Sequence, residues 1–146
     1  MGGEPEANPL KEWLHSHEQF LDDLPEDALV LPSHNAPFYG LHHRLRQLIE
    51  HHEEHLLALE EACVDGEPTA MDLLPVLFKR ELDVNQVGLA LGECVAHLNY
   101  LHQRGQLQRS LDGDGRYCYQ SIDETLPQRL RRQHHEAADA PPIQVY

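Results

Sequence analysis

Between Leu41 and Cys63 the inward-suited positions alternate by three and four: Leu41, Leu45, Leu48, His52, Leu56, Leu59 and Cys63. That spacing returns each residue to one face of a 3.6-residue helix and does not fit the two-residue period of a strand. It predicts one long helix with a single buried stripe, and such a stripe must pack against other elements. A second stripe runs through Val84, Val87, Leu91, Val95, Leu98 and Leu101. Asp83 suits its N-cap and Gly105 its C-terminal cap. Two long amphipathic helices in one short chain set the class as mainly α.

Shorter elements fill the gaps. Asn8 suits an N-cap and Pro9 the first helical position, and Leu10, Trp13, Leu14, His17, Leu21 and Leu24 follow at helical spacing until Pro25 stops the run. Thr69 can cap a short helix over Ala70 to Phe78, with Leu73, Leu74 and Leu77 inward and a kink expected at Pro75. Gln106 to Leu111 and Arg116 to Gln120 flank Asp112-Gly113-Asp114-Gly115, which reads as a hairpin. Helix, short helix, long helix and hairpin is the order of a winged helix. The division expected is therefore 1–39, 40–126 as a winged-helix-like domain of three helices plus a β-hairpin, and a tail over 127–146. The tail holds Arg129, Arg131, Arg132, Pro141 and Pro142 and is expected to be frayed or docked.

One segment poses a physical problem. Ala28 to Leu31 is a four-residue apolar run before Pro32 and reads as a buried strand. A lone strand leaves backbone donors and acceptors unpaired. No second convincing strand lies in residues 1–39, so the run is expected to pair outside this chain or to belong to a sheet encoded upstream.

Charge narrows the partners. The 146 residues carry 11 Lys and Arg against 25 Asp and Glu, a formal net charge of -14. Duplex DNA or an anionic membrane would meet a repulsive field. The helix beginning at Asp83 has no Lys or Arg before Arg104, and a DNA-reading helix normally brings several cations to the phosphates. No apolar run reaches the roughly 18 residues of a membrane span, and residues 1–10 show neither the basic region nor the apolar stretch of a secretory signal. Cys63, Cys94 and Cys118 are odd in number and widely spaced, which fits reduced thiols in a cytoplasmic protein.

Twelve His direct attention to metals. His51 and His55 share a helix face and could chelate one. His52-Glu53-Glu54-His55 is not H-E-x-x-H, because the second His comes one residue early. A solvated His/Glu face, with His52 packed in the stripe, is the favoured reading. His15-Ser16-His17 lacks the Asp and final His of H-x-H-x-D-H, holding Gln19 and Phe20 there, and residues two apart on a helix point away from each other. His17 is expected to pack beside Trp13 and Leu21. Asp112-Gly113-Asp114-Gly115 is not followed by the bidentate Glu of a calcium loop at the twelfth position and reads as a hairpin turn.

Asn8-Pro9-Leu10, followed by Leu29-Val30-Leu31-Pro32-Ser33-His34-Asn35-Ala36-Pro37-Phe38, resembles the C-terminal end of metallo-β-lactamase-fold hydrolases. There a helix leads into a last sheet strand, and the strand ends in a Pro-Gly-His-Gly-type loop whose His ligates metal. Ser33 and Asn35 stand where that loop has Gly, and His34 matches the His. Gly40-Leu41-His42 and His51-His52-Glu53-Glu54 are similar to the helix after the loop, and residues 69–120 to the winged-helix appendage of many members.

The resemblance implies a fold of two parts: an incomplete metallo-β-lactamase-fold segment of helix, strand and loop, then the winged-helix-like domain. It implies a zinc-dependent hydrolase lineage acting on an ester, thioester, lactam or phosphodiester. It assigns His34 as the one metal ligand of this chain. A catalytic zinc normally takes three protein ligands. The chain is therefore expected to be inactive alone, to bind no zinc by itself, and to be a truncated frame or the C-terminal half of a split enzyme. Its expected partners are the missing N-terminal half or a second copy. Two alternatives remain at this point: an acidic winged-helix module that binds protein, and a nucleic-acid-binding regulator disfavoured by charge.

Overall fold

The computed structural model describes residues 6–122 and Thr125. Four helices and one hairpin follow in the order α1 (Pro9–Asp23), α2 (Leu41–Ala62), α3 (Ala70–Leu77), α4 (Val84–Gln103), β1 (Leu107–Leu111) and β2 (Tyr117–Ser121). The tail expected over 127–146 lies outside the described residues. Among the described residues no helix is long and apolar enough to cross a membrane.

Local chemistry sets most boundaries. Asn8 accepts a hydrogen bond from the Lys11 backbone N–H, and Pro9 occupies the first turn of α1. Thr69 and Asp72 cap each other's backbone at the start of α3, and Asp83 and Gln86 do the same for α4. α3 ends two residues after Pro75, whose missing N–H limits helix propagation. At the other end of α4, Gln106 N–H reaches the Leu101 carbonyl and Gly105 N–H the His102 carbonyl, each at 3.0 Å. Gly105 has φ +74°, which closes this cap in the left-handed region.

The hairpin pairs antiparallel, from Leu107 opposite Ser121 to Leu111 opposite Tyr117. Its turn is held by the Asp112 carboxylate, which accepts from the backbone N–H of Asp114 and Arg116 at 2.9 Å. The outer edge of β2 is partly covered: Tyr119 N–H donates to the Pro68 carbonyl and Ser121 N–H to the Cys63 carbonyl. These bonds dock the hairpin on the α2–α3 connection.

One core unites these elements. Leu59, Cys63, Leu73, Cys94, Leu98, Leu101, Leu107 and Tyr119 are all at most 2% exposed, and Leu10 and Leu14 of α1 join the same cluster. The α4 stripe differs from expectation. Val84 is 90% exposed, whereas Ala90, Cys94, His97, Leu98 and Leu101 are buried. The buried face is thus rotated toward small residues and a histidine that apolar periodicity does not mark.

The run Ala28 to Leu31 is not a buried strand. Val30 forms one antiparallel bridge with Phe38, using N–H to carbonyl bonds of 2.8 and 3.1 Å. Leu29 and Leu31 are 52% and 74% exposed. The physical reason is that a single rung satisfies one residue's backbone and presents its flanking side chains to no second layer.

Candidate metal centre

His34 sits on the connection between the two bridge residues and is exposed. Next to it Asn35 has φ +73°. This is the left-handed conformation that Gly adopts freely and Asn tolerates best among the other residues. The loop therefore keeps one backbone feature of a Gly-containing turn with Asn in its place. Gly40, at φ +96°, then turns the chain into α2, and His42 Nε2 donates to the Leu24 carbonyl at 2.7 Å, tying the first turn of α2 to the end of α1. Among the described residues His34 belongs to no group of three or more potential ligands. One exposed imidazole does not make a catalytic zinc site, so no chemical step is assigned to a metal there.

The structure brings a different set together. His52 and His55, three apart on α2, face Glu93 and His97, four apart on α4. One ligand atom from each of the four lies within 4.8 Å of every other. His97 is buried and its Nδ1 lies 2.8 Å from the Glu93 carbonyl. A carbonyl only accepts, so Nδ1 carries the proton and Nε2 of neutral His97 offers a lone pair. That Nε2 lies 3.0 Å from His52 Nδ1, which is therefore the donor between the two rings. His55 Nδ1 is buried and has no hydrogen-bond partner among the described residues.

Burial decides the protonation of this group. It pushes His52 and His55 down to about 4, helped by the imidazoles of His97 and His51 around them. His97 is lowered by burial as well, against a smaller opposing pull from Glu93. All three are thus neutral near pH 7. Trp13 closes one side, its ring 4.5 Å from His52 and 3.6 Å from His17 between centroids. His17 packs on Trp13 and bonds its carbonyl, as its place on α1 predicts. His51 pairs with His55 at 4.1 Å between centroids, the α2 neighbours that spacing suggests as a chelating pair.

Sequence reasoning weighed His51, His52 and His55 and missed Glu93 and His97. Two signals were present. His52 occupies a position in an otherwise apolar stripe, and His97 sits between Cys94, Leu98 and Leu101 on the buried side of α4. Their meeting depends on how α2 packs on α4, which no local pattern encodes.

The hairpin cations are engaged with the protein's own groups. Arg116 pairs with Asp112 and Asp114 at 2.8 and 3.2 Å. Arg109 pairs with Glu6 at 3.3 Å and lies over the Tyr117 ring.

Residues 56–122 match the family model described as the metallo-beta-lactamase-like C-terminal domain. A solved beta-lactamase domain protein from Burkholderia ambifaria is 41% identical with a TM-score of 0.80, over 84% of this chain and 36% of that one. A metallo-beta-lactamase family protein from Thermus thermophilus is 31% identical with a TM-score of 0.62, over 78% of this chain and 34% of its own. The chain thus spans about a third of the length of these two structures. No curated protein matches it significantly.

Proposed function

The chain carries the C-terminal domain of the metallo-β-lactamase-like family, and from that premise we propose that it serves as the C-terminal portion of a zinc-dependent hydrolase. In this reading α1, the Val30–Phe38 rung and the His34 loop lie against the part of the relatives that this chain does not match. His34 contributes one imidazole to a zinc pocket whose other ligands come from that part. The zinc would supply a water acidic enough to attack an ester, thioester, lactam or phosphodiester. This chain's own share is to hold His34 on a loop shaped by Asn35 and to present α2–α4 and the hairpin as a winged-helix-like appendage that packs beside the pocket. By itself the chain is inactive.

The observation that supports this reading is the single rung at Val30. Leu29, Leu31 and Tyr39 are large apolar residues, 52%, 74% and 71% exposed, at and beside a strand fragment. A sheet added beside Val30 and a layer over Leu29 or Leu31 would use that surface. Self-association through it is the variant of the same idea in which a second copy does the covering. The engagement of Arg109 and Arg116 with carboxylates argues against a nucleic-acid regulator. An acidic protein-binding module remains as the second reading, favoured by the charge of -14.

The test is complementation. This chain is mixed with the portion of the Burkholderia relative that it does not match, with Zn2+ present, and p-nitrophenyl acetate hydrolysis is followed. Activity that appears only in the mixture, and is lost with His34→Ala, supports the reading. A stable complex whose activity is indifferent to His34→Ala removes His34 from the metal site, and failure to form any complex favours the binding-module reading.

A further inference from the structure

We propose that His52, His55, Glu93 and His97 bind one divalent transition metal of the zinc class, which staples α2 to α4. His34 is not among these donors.

Three imidazoles and one carboxylate are borderline nitrogen and oxygen donors, a set that suits Zn2+ and its first-row neighbours better than Ca2+ or Mg2+. Their spacing suits one ion as well. Two donors on a tetrahedral zinc, each about 2.0–2.1 Å from it, lie roughly 3.3 Å apart. His52 Nδ1 and His97 Nε2 already lie 3.0 Å apart, and every pair in the group is within 4.8 Å. A small side-chain contraction, with the His52 proton moved from Nδ1 to Nε2 by tautomer exchange, brings the four atoms onto one ion. Four protein ligands close the coordination shell, which is the arrangement of structural sites.

The surroundings are those of a prepared ligand set. A metal-binding His usually donates its other ring N–H to a backbone carbonyl or carboxylate, which fixes its tautomer and orientation. His97 does this with the Glu93 carbonyl at 2.8 Å. His55 Nδ1 is a buried polar atom without a hydrogen-bond partner among the described residues, and a buried group left in that state calls for a ligand. The ligands come in pairs from two helices, at i and i+3 on α2 and at i and i+4 on α4, so each pair shares a helix face.

Trp13 offers a built-in reporter, because the chain has one tryptophan and its ring lies 4.5 Å from that of His52. The full chain, freed of metal with EDTA, is titrated with Co2+ while visible absorption and Trp13 fluorescence are recorded. The result expected is saturation at one equivalent in both signals, a spectrum of four-coordinate Co2+, reversal by EDTA and displacement by Zn2+. His55→Ala and Glu93→Gln should each weaken binding by roughly 100-fold or more, and His34→Ala should leave it unchanged. Glu93→Gln preserves size and the backbone carbonyl, so its metal-free helicity and urea midpoint should equal those of the unaltered chain. That variant keeps the test decisive if His55→Ala folds poorly. Binding spread over several equivalents without a Trp13 response would overturn the proposal as scattered surface histidines. So would unaltered affinity in Glu93→Gln, or loss of the bound ion with His34→Ala.

Discussion

His52 Nδ1 donates to His97 Nε2 across 3.0 Å, joining α2 to α4 through two neutral rings. The direction is dictated by the Glu93 carbonyl, which holds the other His97 nitrogen as a donor. His97 is 1% exposed and His52 half-buried, so this bond lies at the edge of the packed interior. His97→Ala removes a buried ring and strands the His52 donor. The loss expected in metal-free protein is about 2–4 kcal/mol, from the combined cavity and unpaired-donor effects. Urea unfolding monitored by circular dichroism checks it, and a loss below about 0.5 kcal/mol would mean that the bond and ring contribute little.

Acid should weaken the metal-free protein over a defined window. His52 and His55 have folded-state values near 4, below the 6.5 of an unfolded imidazole. As pH falls past 6.5 the unfolded chain takes up protons that the folded cluster refuses. Stability from these groups is therefore complete above about 6.5, is lost between 6.5 and 4, and changes no further below. The groups facing them are His17, His51, His97 and Glu93. Urea midpoints in EDTA at pH 7.5, 6 and 5 should fall in that order. In His52→Gln the slope should be shallower, and an equal slope would place the acid sensitivity elsewhere.

The thiols should be silent in the native state. Cys63 and Cys94 are fully buried, and burial pushes both up to about 12. Thiolate is the reactive form, so neither is available to Ellman's reagent at pH 8. At most Cys118 should react before denaturant is added, and all three after. Two or more fast native thiols would show that the α2–α4 core opens readily.

What the sequence displayed clearly was whatever a few neighbouring residues decide. Asn8-Pro9, Thr69 with Asp72, Asp83 with Gln86, Gly105 and the Asp112 turn all act within about four positions, and each appears where its chemistry places it. The family resemblance was legible for the same reason, since Pro32 to Phe38 is one short loop. The four-ligand cluster was not, because His52 and His97 are 45 positions apart and meet only through helix packing. The exposure of Leu29 and Leu31 escaped notice too. An apolar run shows that a segment wants cover, and does not show whether this chain supplies it.

Helix α4 gives the sharpest contrast between pattern and packing. Val84 and Leu98 both belong to the apolar stripe, yet Val84 is 90% exposed and Leu98 is fully buried. Val84 is the first residue after the Asp83 cap, in the opening turn of the helix. Leu98 lies amid Leu59, Leu73 and Leu101 in the common core. Val84→Ala should change stability by less than about 0.5 kcal/mol, because it removes no buried contact and raises helix propensity slightly. Leu98→Ala should cost about 3–5 kcal/mol through lost burial and a cavity that close-packed neighbours only partly fill. Asp83→Ala, one residue from the harmless site, should still cost about 1 kcal/mol, because its carboxylate caps the N–H groups of Asn85 and Gln86 at 2.9 Å. Urea denaturation of the three variants under one buffer orders them directly. A cost for Val84→Ala near that of Leu98→Ala would mean that the first turn of α4 is covered in solution by a surface outside the described residues.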